Sequence, residues 1–516
     1  MKVSGISMLL LVSITPAVAG LSTDPFVVDP QFYGGATLED RFAAIVTTND
    51  QSAQKIVVLQ SGPVVPGAYV AVAGLVPAAY SNNPANGYFN LGMVAYGDDG
   101  ARTPWGGTVN PYNWLYFDNH YIDYPNSNTP PYSAVRDMKL VGNHLFQLVD
   151  STDVPGNRDV KIVVFENYFG LLAQTPIDAF VTGLDETGAA LVPYSYNAGT
   201  DPNPDYHFKL IAIATYTTGS GIRIVTAKRF SLDFYSGALA VDTTFGPNGN
   251  GAIDYSFPAC HDGAPCSTIA KAAVALRADT ATPTIYIAGD HQYLGTDWDI
   301  FVMAIDGATG NRDPSFGNTV FGGFQSLSYN NPNSTSEDRA VAIAATTTGA
   351  ASTDRLYLAA TAAQHCAPST VVSRLQAGQG GQPWFVAASR TFAGDASPTC
   401  SIAVQTFDTP YAMTLAGGRL AIAGERSVSG AAVLAPYHLP ELAILRIPDL
   451  ALTDFRTFTP THPDGSSWDS AGLRDIVATD RGFIAAGVIY GDGNHLLFGT
   501  SAYVSDRIFG DDLQAN

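Results

Sequence analysis

Short apolar blocks rich in Val, Ile and Ala recur along this chain, each followed by a turn and then a second apolar block. Runs this short, β-branched or small in composition and bounded by turn formers, are the pattern of buried strands and not of helices. Seven hairpins can be read this way. Residues 42–46 are expected to pair with 55–59, 135–141 with 144–149, and 208–214 with 222–227. Further along, 269–276 is expected to pair with 284–288, 340–345 with 355–359, 412–416 with 419–423, and 473–479 with 482–486. Gly142-Asn143 and Gly417-Gly418 sit at two of the turns, where tight hairpins require positive φ. A third apolar stretch closes each unit, as at 91–96, 180–185, 300–305, 371–375, 442–447 and 498–504.

A phrase repeats on the same scale. Val241-Asp242-Thr243-Thr244-Phe245-Gly246 returns as Arg312-Asp313-Pro314-Ser315-Phe316-Gly317, and a weaker copy starts at Val28-Asp29. Glu39-Asp40-Arg41 also matches Glu337-Asp338-Arg339, which suggests equivalent positions in two units. The units average roughly 70 residues, with the excess over a minimal four-stranded blade assigned to loops. Seven units of three or four strands predict an all-β fold, a β-propeller of seven blades. Six or eight blades and a parallel β-solenoid are the alternatives. The phrase at Asp29 and the last one, Phe509-Gly510-Asp511, suggest that the N-terminal segment completes the final blade.

The Asp-x-x-Phe-Gly phrases at 242–246 and 313–317 resemble those of the delta-sixty repeat proteins of bacteria. That resemblance implies an exported propeller and carries over no catalytic residue. The chain departs from it by long insertions in the second and third units.

Composition narrows the setting. Lys2, the apolar run 8–14 and Ala17-Val18-Ala19 form a secretory signal over residues 1–19, which leaves one propeller domain over 20–516 and a secreted or periplasmic protein. No later segment is long and apolar enough to cross a bilayer, and the chain is expected to be monomeric. The net charge of −20 makes nucleic acid a poor partner. Four cysteines in an exported chain suggest two disulfides, with Cys260–Cys266 and Cys366–Cys400 the simplest of three connectivities.

Hydrolase and nucleotide-binding motifs are absent: there is no Gly-x-Ser-x-Gly, no His-Glu-x-x-His and no P-loop. No catalytic residue can be assigned. The stretch from Pro111 to Tyr132, read as an insertion of the second unit, holds Trp114, Tyr116, Asp118, Tyr121 and Asp123. Rings beside carboxylates suit a sugar, whose apolar face a ring can cover. Acid–Arg pairs recur at Asp40-Arg41, Arg136-Asp137, Asp338-Arg339 and Arg474-Asp475. If they face the channel mouth, Arg41, Arg136, Arg339 and Arg474 can hold an anion or a carboxylated sugar. Otherwise they are ion pairs tying blade to blade. Asp201, Asn203 and Asp205 alternate like the start of a calcium loop but lack the Gly and distal Glu. No cofactor other than calcium is indicated. The expected function is a binding module for a glycan or an extracellular or envelope protein. The alternative is a carbohydrate-active hydrolase or lyase with its site in the central funnel.

Overall fold

The computed structural model describes residues 27–28, 38–40, 52–59, 70–77, 89–96, 114–117, 132–154, 157–166, 171–172, 177–180, 183–200, 202–257, 266–294, 297–317, 323–329, 337–347, 353–364, 367–377, 384–392, 405–429, 437–457, 470–479, 482–490 and 496–504. Among these the strands form seven sheets. Their innermost strands, in chain order, define blades 1 to 7: Ser52–Val58, Tyr132–Val141, Asp185–Asn197, Thr268–Leu276, Asp338–Thr346, Gln405–Ala416 and Ser470–Ala478. Each inner strand touches the next, and that of blade 7 touches that of blade 1, so the ring closes. The fold is an all-β propeller.

Closure uses both ends of the described chain. Leu496–Val504 of blade 7 pairs on one side with Gly482–Tyr490. On its other side it pairs with Val27–Val28, in register Val27↔Val504, and with Leu38–Asp40, in register Leu38↔Thr500. The N-terminal strands therefore complete the last blade and cover its edge.

Three expectations change here. Residues 55–58 belong to the first strand of their described sheet and pair forward, with a later strand. Ser52–Val58 is the inner strand of blade 1 and pairs with Val70–Pro77, while 42–46 lies outside the described residues. Likewise Glu39-Asp40 and Glu337-Asp338 are not equivalent. The first belongs to an outer strand of blade 7, and Asp338 opens the inner strand of blade 5. The phrase closes the strand Leu38–Asp40 in one copy and opens Asp338–Thr346 in the other, and only pairing partners distinguish inner from outer. In blade 3 the hairpin read at 208–227 is the second and third strands, and Asp185–Asn197 is the inner one.

The core is not central. It lies in the seams where one blade packs on the next. One cluster joins Ala71, Met93, Val135 and Leu145 of blades 1 and 2. Further clusters fill the seams from blade 2 through blade 7. A strand in mid-blade is covered on both faces, so its apolar run is continuous instead of alternating: Leu210 to Ala214 and Ile300 to Ile305 are fully buried.

The repeated phrase is a seam plug. Asp242 Oδ1 accepts from Thr244 Oγ1 at 2.6 Å and from its N at 3.2 Å. Asp313 Oδ1 accepts from Ser315 Oγ at 2.6 Å and from its N at 2.8 Å. In both copies the Phe N–H donates to the Asp carbonyl at 3.1 Å. Phe245 and Phe316 then lie buried in successive seams. Gly246 and Gly317 hold φ of 78° and 76°. A Cβ there would stand 2.2 Å from the Ala252 carbonyl oxygen and 2.1 Å from that of Phe324. Only glycine fits.

Candidate functional site

Each inner strand carries a β-bulge at the same depth. Register slips between Ala53 and Lys55, Val135 and Asp137, Gly188 and Ala190, and Ala270 and Ala272. It slips again between Ala340 and Ala342, Pro410 and Ala412, and Leu473 and Asp475. A bulge leaves one residue without a ladder partner and re-aims its side chain. The seven bulged residues are Gln54, Arg136, Ala189, Lys271, Val341, Tyr411 and Arg474. All seven line one cavity of about 320 Å³, which therefore sits at the ring's centre.

The bulges also set how the blades join. A side chain on one blade accepts the backbone N–H at the bulge of the next. Gln54 accepts from Val135 N, Asp150 from Gly188 N at 2.8 Å, Thr215 from Ala270 N at 2.9 Å, and Asp290 from Ala340 N at 2.7 Å. Blade 6 has Pro410 at this position, which has no N–H to satisfy. A second tier lies one step deeper: Asp137 accepts from Leu191 N at 2.7 Å and Asp475 from Ile56 N at 2.9 Å.

These contacts separate the members of two acid–Arg pairs. Asp137 and Asp475 are blade fasteners, while their neighbours Arg136 and Arg474 face the cavity. Arg136 is held by Asp150, with Nε 2.7 Å from Oδ2. Arg474 NH2 lies 3.2 Å from Glu425 Oε2, and its guanidinium stands 3.9 Å over the Tyr411 ring. The Tyr411 hydroxyl donates to Glu425 Oε1 at 2.7 Å, and burial raises its pKa. Lys271 Nζ is 3.7 Å from Asp290 Oδ2, and Lys55 Nζ is 3.8 Å from Asp475 Oδ1. Burial pushes the Asp290 and Asp475 carboxyls up, and the nearby lysines oppose that.

Arg339 takes a different place. It reaches Asp290 at 3.3 Å and Glu337 at 2.9 Å, and it covers the Trp298 ring. It is two residues before the bulge at Val341 and does not line the cavity. Asp338 accepts from Tyr329 N at 2.6 Å. Arg41 lies outside the described residues.

The aromatic stretch divides. Trp114–Phe117 is the outer strand of blade 1, paired with Phe89–Tyr96 in register Val94↔Trp114, so it is not an insertion of the second unit. Asp118, Tyr121 and Asp123 lie outside the described residues. Asn203 closes a bridge with Thr200, and Asp205 Oδ2 sits 3.1 Å from His207 Nε2; Asp201 is outside the described residues. Among the described residues no three His, Cys, Asp or Glu side chains are grouped to hold a metal, and no helix is long and apolar enough to cross a membrane. Cys266 is buried at the head of blade 4. Cys260, Cys366 and Cys400 lie outside the described residues.

Sequence reading missed Gln54, Lys55, Lys271 and Tyr411. The available signal was a polar residue interrupting an apolar strand, as in Ala270-Lys271-Ala272. Without the bulge, Lys271 reads as one solvent-facing position of an alternating strand.

No family model and no curated protein matches the chain. Among solved structures it is similar to a point mutant of the Aleuria aurantia lectin in complex with alpha-methyl-L-fucoside. The identity is 9%, over 71% of this chain and 93% of that one, with a TM-score of 0.30. The endo-arabinase of Bacteroides thetaiotaomicron is 11% identical over 69% of this chain and 99% of that one, with a TM-score of 0.30. The Vanderwaltozyma polyspora Nup133 β-propeller domain is 8% identical over 89% and 100%, with a TM-score of 0.33. Likeness of this order transfers neither a residue nor an activity.

Proposed function

We propose that the protein is a secreted or periplasmic binding propeller that holds a glycan in its central channel. One observation carries this reading: seven side chains, one per blade, are turned by bulges into a single cavity of about 320 Å³. That size lies at the small end of ligand sites, suits a small molecule or sugar unit better than a protein face, and is lined by amide, hydroxyl and cationic groups able to meet hydroxyls. Hydrolysis by a carboxylate pair has less support, because no Asp or Glu lines the cavity among the described residues. The export signal over 1–19, two disulfides and membership of the delta-sixty repeat family belong to the same proposal. The last is supported by the like structure of the phrases at 242–246 and 313–317.

A glycan array of residues 20–516, with Tyr411→Ala and Trp114→Ala run in parallel, tests it. Binding lost in Tyr411→Ala and kept in Trp114→Ala is the expected result, with circular dichroism confirming that both variants fold. Loss only in Trp114→Ala moves the site to the rim of blade 1, and silence across the array removes the glycan.

A further inference from the structure

The protein carries 46 acidic and 26 basic residues. The walls of its central cavity reverse that balance: among the described residues Lys55, Arg136, Lys271 and Arg474 line it, and no carboxylate does. The reversal is built by depth. The acids that hold these cations stand behind them, with Asp150 and Asp290 at 0% side-chain exposure, Glu425 at 8% and Asp475 at 14%. The cations reach forward, with Arg136 at 36% and Lys271 at 41%. A concave site bordered by one sign of charge and low-dielectric walls concentrates its field on whatever enters.

The cations come from four blades, 1, 2, 4 and 7, each from the bulge or the residue beside it. Ion pairing alone does not require this arrangement. Asp290 already receives Ala340 N and Arg339, so Lys271 at 3.7 Å adds little to its satisfaction. Glu425 already receives the Tyr411 hydroxyl. Lys271 and Arg474 are thus set where an incoming anion can share them, Arg as a planar fork and Lys as a point charge.

We infer that the channel selects an acidic sugar, one bearing a carboxylate or a sulfate ester, and that Arg136, Lys271 and Arg474 bind its charge. This rests on the glycan reading above and names the ligand's chemical class. The chain as a whole, at −20, repels polyanions at long range. The charge is therefore recognised only on a ligand small enough to enter, and an extended acidic polymer is disfavoured.

Calorimetric titration of the mature chain with trigalacturonate, with its neutral methyl ester and with a sulfated disaccharide tests the inference. Hexaglutamate serves as the non-sugar anion. One acidic sugar, uronate or sulfated, is expected to bind at least about tenfold more tightly than the ester and to weaken as salt rises. Which of the two binds identifies the source of the charge. Lys271→Gln and Arg474→Gln are each expected to weaken that binding about fivefold or more, while Arg446→Gln, on the third strand of blade 6 and paired with Asp449, leaves it unchanged. Lys271→Gln keeps Asp290 paired, so it reports binding even where Arg474→Gln fails to fold. Equal binding of acid and ester overturns the charge inference and leaves the glycan reading intact. Binding of hexaglutamate alone, or of none of the four, overturns both.

Discussion

At the scale of single residues, Asp338 is the group most at odds with its surroundings. It is fully buried, one oxygen accepts from Tyr329 N, and Oδ1 has no hydrogen-bond partner among the described residues. Burial, with Asp299 and Asp297 nearby, pushes its carboxyl up to about 6. Between about pH 4 and 6 the folded chain therefore holds a proton that the unfolded chain releases. The stability this supplies is complete below about pH 4 and is lost as pH rises through about 6. Asp338→Asn keeps an oxygen for Tyr329 N and removes the charge. It is expected to gain on the order of 1–2 kcal/mol at pH 7 and to match the parent near pH 4. Urea unfolding at both pH values checks this, and a loss at pH 7 would sink it. His291, lowered by burial to about 4, works the other way: its contribution is present above about 6.5 and is lost as pH falls through about 4. The parent's slope is thus a difference of opposing groups, and the variant isolates one of them.

At the scale of elements, the bulge is what makes an inner strand different from the others. It frees a backbone N–H at the seam, and the neighbouring blade must supply an acceptor. Blade 3 does this with a neutral group, since Thr215 Oγ1 accepts from Ala270 N and both residues are buried. Thr215→Val preserves shape and removes the acceptor. It should cost about 1–3 kcal/mol, the penalty of a buried unsatisfied donor. Thr215→Ser keeps the oxygen and should cost under about 1 kcal/mol. Chemical denaturation of both variants decides the matter, and equal losses would mean that Thr215 acts through its methyl group. The fastening was only half legible beforehand. Arg136-Asp137 and Arg474-Asp475 stood out as pairs, but the register slip at Arg136 and Arg474 re-aims one member of each. The acid went to the seam and the base to the channel.

At the scale of the whole molecule, stability depends on ring closure. Val27–Val28 and Leu38–Asp40 lie along Leu496–Val504, so the two ends of the described chain share a sheet. A chain beginning at residue 41 is left with Leu496–Val504 as an open edge. Relative to a chain beginning at residue 20, it should melt roughly 5 °C or more lower and scatter more light on heating, because an unpaired edge templates association. Unchanged melting would show that blade 7 holds without these strands.

Strand character, the count of repeating units, the turns at Gly142 and Gly417-Gly418 and the closing role of the N-terminal segment followed from the sequence alone. All of these are encoded over a few neighbouring residues, by apolar runs, positive φ and a phrase that repeats. The site is of another kind. Gln54, Arg136, Lys271, Tyr411 and Arg474 are spread over more than 400 positions, and none belongs to a motif. They meet because each inner strand slips register by one residue and the ring brings seven slips to one axis. The tertiary structure alone decided that, since a bulge is defined by the partner strand and a channel by the closure of the whole ring.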